Sequence, residues 1–445
     1  MKKLPLVMAL SAASVCTLAS AQSSVQVYGK LYPYLVSEEG SSPTAPGTAV
    51  SSLAGTLTNT PGVGAIKGMQ SGNSRIGFRG TEDLGGGLKA FFQLESVVAV
   101  DNGAAGGGTT FWNRDTFVGM KGGFGEVRLG LMDTIFKNYG DPISFMGVSS
   151  GTPMSSSNMM RKPGFGTSNN ARFHERRPNS IAYESPEFND ISFGAMVSTS
   201  ETSVTANPAL GNAKTYSYGV KYDKNAWYLA LAHEIHTNFF GGSSQAPSAM
   251  RNNGAADNIK SNDQATQATV EWRISKAHKV ALDIIRKEYK EEAIVNNRFK
   301  SYDNIAYQIA FESRLSDKWR LGGHYVRSQA GSCTRLNAVC NTDGLEGSKL
   351  MFGGGYYLSR RTNFYAAYNQ VTNGKSARFG AAPEFGKIRR LPASHKGQDE
   401  VLAGRWFRTR LPVQPRVFSA TGGALSAAVH LLGAPGELRR SRGAT

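Results

Sequence analysis

The sequence predicts an all-β chain, a transmembrane antiparallel up-and-down barrel of fifteen or more strands. Three observations predict it. Segments of about ten residues alternate apolar with polar side chains, which gives a sheet two unlike faces. The connections between them alternate short with long. Beyond the N-terminus no run of 18 apolar residues exists to cross a bilayer as a helix. A barrel with a wet lumen and a lipid-facing exterior requires this two-faced wall, although a soluble sandwich can also show it.

The chain opens on an export signal over residues 1–21. Lys2 and Lys3 form its basic start, Leu4 to Leu18 its mostly apolar middle, and Ala19-Ser20-Ala21 its cleavage site. The mature chain is expected to begin near Gln22. Cys16 falls within the signal behind Val15, where lipid attachment wants a small residue, so a lipoprotein is not expected.

A first strand falls near 25–36. Arg75, Gly77 and Arg79 then point one way while Ile76 and Phe78 point the other, a strand at 73–81. Leu88, Ala90, Phe92 and Leu94 alternate with Lys89, Phe91, Gln93 and Glu95, its partner at 88–98. Further strands fall near 111–121, 124–132, 178–185, 190–199, 214–222, 226–236, 265–274, 278–288, 302–313, 318–328, 347–357 and 362–371, which makes fifteen. The clearest sets Ile305, Tyr307, Ile309 and Phe311 against Ala306, Gln308, Ala310 and Glu312.

Short connections at 83–87, 122–123, 186–189, 223–225, 275–277 and 316–317 face long ones at 38–72, 99–110, 239–264 and 291–300. Turns on one rim and loops on the other suit an up-and-down barrel better than a Greek-key sandwich. One connection, 133–177, runs 45 residues with little alternation. Loops of that length are functional or disordered, and in a barrel such a segment can fold inward and narrow the lumen.

Composition agrees with a wall that is apolar on one face only. The hydrophobic fraction is 40%, mean hydropathy is −0.32, and glycine (51) and tyrosine (17) abound. Net charge is +17; the two signal lysines and a net +8 from residue 387 onward leave +7 for the body. A basic exported protein can meet nucleic acid, anionic lipid or anionic solutes. Nucleic acid is not expected, because neither a basic helical stripe nor an aromatic nucleic-acid motif occurs. Arginines on the lumen side of strands would favour anions.

Two cysteines remain in the mature chain, Cys333 and Cys340. Their C-x6-C spacing in a polar stretch of an exported protein suggests a disulfide pinning a loop, the alternative being two unpaired loop thiols. No histidine lies near them to complete a zinc site. Gly374-Lys375-Ser376 lacks the glycine a phosphate loop needs five residues earlier, where Asn369 stands. His233 and His236, three apart on a strand, face opposite sides and do not share a metal. No catalytic constellation, cofactor site or metal site is expected.

Ser74-Arg75-Ile76-Gly77-Phe78-Arg79-Gly80, followed by Glu82-Asp83-Leu84-Gly85-Gly86-Gly87-Leu88-Lys89-Ala90, closely resembles the trimeric general porins of Gram-negative bacteria. So do Arg114-Asp115-Thr116-Phe117-Val118-Gly119, Gly123-Phe124-Gly125-Glu126-Val127-Arg128-Leu129-Gly130, Arg177-Pro178-Asn179-Ser180-Ile181-Ala182-Tyr183-Glu184-Ser185-Pro186 and the opening Val27-Tyr28-Gly29. The resemblance spans roughly residues 22–386. It implies a 16-stranded barrel in the bacterial outer membrane, a homotrimer, and a third loop folded into the pore opposite a basic wall. It gives Arg75, Arg114 and Arg177 as constriction candidates, with Glu95, Asp141 and Glu175 as acidic ones.

Alternation independently places Arg75 and Arg79 on one lumenal face. Arg114 shares parity with Val118 and Met120, so it needs a bulge or another register to turn inward. For each arginine the alternative is a solvated rim or loop charge. Two departures stand out: Leu131 replaces an arginine many relatives carry, and Tyr32-Pro33 replaces the acidic residue of the first strand.

From residue 387 to 445 the composition turns to Arg, Pro, Ala and Gly, with no tyrosine or asparagine, as a reading-frame change or a basic extension would give. Val401 to Leu411 could supply a poor sixteenth strand, with Arg405, Arg408 and Arg410 on both faces. The organisation expected is therefore a signal (1–21), a barrel body (22–386) and an atypical tail (387–445). The function expected is a passive diffusion channel for small hydrophilic solutes and ions, mildly anion-selective. The alternatives are a substrate-selective channel of the same fold, a soluble secreted β-sandwich binding protein, and a damaged porin that does not assemble.

Overall fold

The structure, a computed structural model, describes residues 24–40, 63–104, 110–140, 154–165, 172–201, 213–253, 258–374, 376–380 and 398–407, with backbone alone at 38–40, 63–66, 245 and 398–407. The export signal, Asp141 and the chain beyond 407 lie outside the described residues, and all described residues belong to the unit Met1–Pro412.

Nineteen strands are described: β1 Ser24–Lys30, β2 Tyr34–Gly40, β3 Val63–Gln70, β4 Arg75–Gly85, β5 Leu88–Val97, β6 Thr116–Gly122, β7 Gly125–Asp133, β8 Arg176–Glu184, β9 Ile191–Thr199, β10 Lys214–Lys224, β11 Trp227–Thr237, β12 Asn262–Arg273, β13 His278–Lys290, β14 Phe299–Arg314, β15 Trp319–Ser328, β16 Ser332–Arg335, β17 Gly347–Tyr357, β18 Thr362–Asn373 and β19 Gln398–Phe407. Every pairing is antiparallel. From β4 onward each strand pairs with the next, except that the short β16 pairs with the outer end of β14 while β15 pairs with β17. β19 pairs with β18 on one side and β2 on the other, β2 pairs with β3, and β1 with β4. β1 with β2 and β3 with β4 each form one interrupted stave, so the described pairings run through sixteen staves and return from β19 to the first by way of β2.

The interruption has a local cause. Pro33 has no N–H for a ladder, and the Tyr32 N–H goes instead to Ser74 Oγ at 2.7 Å. Opposite it the chain turns at Gly72, φ +54°, where a Cβ would sit 2.5 Å from the Tyr32 ring. The second stave therefore starts at Val63, not near residue 73, and the connection expected over 38–72 is correspondingly shorter. The strand expected from 111 begins at Thr116, because Asn113 Oδ1 takes the Val97 N–H at 3.0 Å and a side chain replaces the ladder there. The last described strand is Gln398–Phe407, overlapping the 401–411 segment offered as a poor sixteenth strand.

The two faces separate as the alternation requires. Ile309 is 57% exposed on the outside, whereas Gln308 beside it is 3% exposed on the inside. At the short-turn rim Trp227 stacks on Trp272 (5.9 Å between rings) and Trp319 packs on Tyr356 (4.9 Å), where amphipathic rings suit a membrane interface. No helix among the described residues is long and apolar enough to cross a membrane.

The connection from β7 to β8 enters the ring. Its helices α1 (Ile135–Tyr139) and α2 (Ser157–Met160) lie against β9–β11 and against β14, β15 and β17, respectively. Close approach of α1 depends on glycines of the wall: a Cβ on Gly194 would lie 2.8 Å from Ile135 Cδ1, and one on Gly219 3.0 Å from the Tyr139 ring. Phe136, Met159, Met160, Phe165 and Phe173 join inward residues such as Ile285, Tyr289 and Tyr302 in one buried cluster.

Candidate pore constriction

The first charged chain is built on β4 and β5. Glu95 faces inward and is 3% exposed. Its Oε2 receives the Tyr28 hydroxyl at 3.0 Å and stands 3.3 Å from Arg75 Nε, while its Oε1 pairs with Arg114 Nε. Arg114 also donates to Asn73 Oδ1 at 2.8 Å, and its own N–H bonds Glu95 O at 3.1 Å. The parity objection to Arg114 disappears because the residue precedes β6: strand alternation does not govern it. Burial, together with the nearby Arg176 and Arg75, pulls the Arg114 guanidinium down to about 10, with Glu95 opposing. It stays charged at neutral pH.

A second chain continues where the inward loop leaves and rejoins the wall. Arg176 Nε lies 3.0 Å from both Asp115 Oδ1 and Asp133 Oδ1, and Lys137 Nζ lies 2.8 Å from Asp133 Oδ1. Burial, then Arg176, lowers the Lys137 ammonium, and Asp133 opposes this. The two chains together set Arg75, Arg114, Arg176 and Lys137 against Glu95, Asp115 and Asp133, an excess of one positive charge. Toward the short-turn rim the wall opens on a concavity of about 570 Å³ lined by Lys89, Lys121, Lys221, Glu126 and Glu184.

The other candidates sit apart. Arg79 is exposed, lies 5.1 Å over the Tyr28 ring and donates to Gln26 Oε1 at 2.8 Å. Arg177 is held by His236 Nε2 (3.1 Å) and the Phe239 ring (4.6 Å). Glu175 pairs with Arg172 Nε at 2.9 Å on the returning limb of the loop. Cys333 and Cys340 are disulfide-bonded with Cα atoms 5.6 Å apart. Tyr32 stacks on Tyr365 at 4.8 Å. His236 is buried against Glu234 (2.9 Å), and His233 bonds Thr266 on the outer face (2.8 Å). Among the described residues no three His, Cys, Asp or Glu side chains gather as a metal-type group.

Sequence reasoning missed the residues that dock the loop. Ser217 Oγ accepts the Phe136 N–H (2.8 Å), and Tyr228 donates its hydroxyl to Tyr139 O (2.8 Å). Gln267 and Arg161 both donate to Gly140 O (3.0 and 2.7 Å), Lys287 to Met160 O (2.6 Å) and Lys349 to Ser155 O (2.6 Å). Apart from Arg161, all are inward positions of the wall, and buried carbonyls need such donors. Their one available signal was the polar side of each alternating strand.

A ring of sixteen staves, apolar outside and entered by its own charged loop, is the architecture of an outer-membrane β-barrel. Comparison with known proteins agrees. The Gram-negative porin family matches residues 7–376, and the chain belongs to that family. Major outer membrane protein P.IB of Neisseria gonorrhoeae is 33% identical over 161 residues, 36% of this chain and 40% of that protein. The protein of the same name from Neisseria lactamica is 31% identical over 160 residues, 36% and 41% of the two chains. The aligned part thus spans about two fifths of these relatives. Among solved structures, the anion-selective porin from Comamonas acidovorans superposes with a TM-score of 0.62 at 19% identity, covering 86% of this chain and 99% of that one. The trimer form of OmpT from Vibrio cholerae gives 0.53 at 14% identity, covering 86% and 99%. The protein resides in the bacterial outer membrane.

Proposed function

We propose that the chain forms a passive, water-filled channel for small hydrophilic solutes and ions, mildly selective for anions, and that it catalyses no reaction. The observation that carries this reading is the net positive cluster of Arg75, Arg114, Arg176 and Lys137 where the loop narrows the ring. A fixed excess of positive charge in a narrow passage raises the local concentration of anions and repels cations. The solved anion-selective porin of the same fold supports the same sign.

The functional unit is a homotrimer. The outer face of β4–β7 carries an apolar concavity of about 660 Å³ lined by Gly80, Ala90, Phe92, Val118, Met120 and Leu129, a surface suited to a second copy. The trimer form of a structural relative supports this assembly. Purified protein should migrate as a heat-modifiable trimer and conduct in planar bilayers without saturation by solute. Saturable, solute-blocked current would favour the substrate-selective alternative, and folded trimers with no current would defeat the channel reading.

A further inference from the structure

The disulfide Cys333–Cys340 touches more than its own hairpin. Cys333 on β16 stands opposite Tyr302 of β14, so the two side chains share the inner face. Tyr302 is 1% exposed, and the Phe165 ring of the inward loop meets it edge-on at 4.9 Å. The Tyr302 hydroxyl donates to Ala330 O at 2.9 Å, where the chain approaches the disulfide. Both cysteines pack against the buried cluster that holds Phe165, Tyr302 and Leu345. A short path of contacts thus joins the sulfurs to the loop.

The chain leaving the disulfide covers the loop a second time. Leu345 is 0% exposed, and a Cβ on Gly164 would strike its carbonyl oxygen. No ladder spans this stretch, because β16 ends at Arg335 and β17 begins at Gly347. It is held by the disulfide and by local bonds such as Thr342 Oγ1 to Gly331 O at 2.8 Å and the Leu345 N–H to Thr342 O at 3.1 Å. The Arg378 N–H holds Gly164 O at 2.7 Å, so the loop can loosen at Phe165 without leaving the ring. The sulfurs stay within reach of solvent: both cysteines are half-buried, and Val339 beside Cys340 is 86% exposed.

We propose that the Cys333–Cys340 disulfide is a thiol-sensitive clamp on the inward loop: its reduction frees residues 336–345, uncovers Gly164 and Phe165, and makes the passage fluctuate. A dithiol carries out the exchange. One of its thiolates attacks one sulfur, and the other cysteine leaves as a thiolate that takes up a proton. The second reductant thiol then closes on the first to displace the remaining cysteine. Two cysteine thiols form and the reductant departs as its own cyclic disulfide, a two-electron transfer.

The test uses folded trimers reduced with dithiothreitol, capped with iodoacetamide, freed of reductant and exposed to trypsin. Mass spectrometry confirms that both cysteines are capped. Cleavage after Arg161, beside the clamped tip, should quicken roughly tenfold or more once the disulfide no longer restrains local opening. C333S/C340S should match this without reductant and respond no further; wild type reduced after folding serves if that variant does not fold. Phe165→Ala, which keeps the disulfide, should be cleaved after Arg161 as readily before reduction as after it. Faster cleavage after Arg335 alone would mean that the disulfide pins only its own hairpin, and overturns the proposal. So does an unchanged rate after Arg161 in fully reduced, folded trimers. In bilayers the same treatment should turn steady openings into flickering ones. That readout rests on the channel reading, which fails separately if untreated trimers carry no current; steady openings from reduced channels overturn the clamp.

Discussion

Glu95 sets the charge pattern at the scale of single residues. It is buried between Arg75 and Arg114, and only Arg75, with 29% of its side chain exposed, keeps substantial contact with water. Glu95→Gln leaves Arg114 buried without its carboxylate, a loss of about 3–5 kcal/mol for breaking a buried pair. The trimer's heat-modification temperature should fall, while anion preference in bilayers rises. Arg75→Ala should do the reverse: anion preference falls, at a stability cost of about 1 kcal/mol or less because the pair is partly solvated. A variant pair whose selectivities move together would contradict the assignment. The inward side of Arg75 was legible because it lies on a clean alternating strand, whereas Glu95 was named through the family resemblance alone. Arg176, Asp115 and Asp133 were not, because they stand where strands end and a loop begins, and periodicity carries no orientation there.

Among the elements, the inward loop depends on donors of the wall as much as on its apolar side chains. Tyr228→Phe keeps the ring and removes one bond to the buried Tyr139 carbonyl, a cost of about 1–3 kcal/mol. Limited proteolysis within 134–175 should speed up roughly fivefold or more, with the barrel's own melting unchanged; proteolysis at the wild-type rate would remove Tyr228 from the docking. Strand existence was readable almost throughout, since period-two alternation survives in every stave from β4 to β18. Its failures have physical causes. β3 was hidden by the interruption at Gly72, and the start of β6 was displaced by the Asn113 side chain. Which carbonyls the polar rows would satisfy was not legible, because that depends on contacts between residues far apart in sequence.

At the scale of the whole molecule, everything rests on β19. Residues Gln398–Phe407 lie in the compositionally atypical end of the chain, yet their backbone joins β18 to β2 and links the two ends of the sheet. An unclosed ring would leave a row of polar backbone groups in lipid, each costing several kcal/mol. Deleting residues 413–445 should leave heat-modifiable trimers, whereas deleting 398–445 should abolish them; trimers surviving the longer deletion would show that another segment closes the barrel. The central claim, that this ring is an open channel governed by a small positive excess, is tested most directly by reversal potential in a planar bilayer under a potassium chloride gradient. Wild-type trimers should give a potential of the sign set by chloride permeating modestly faster than potassium, reduced toward neutrality in Arg75→Ala. A cation-selective reversal potential, or no conductance from folded trimers, would contradict it.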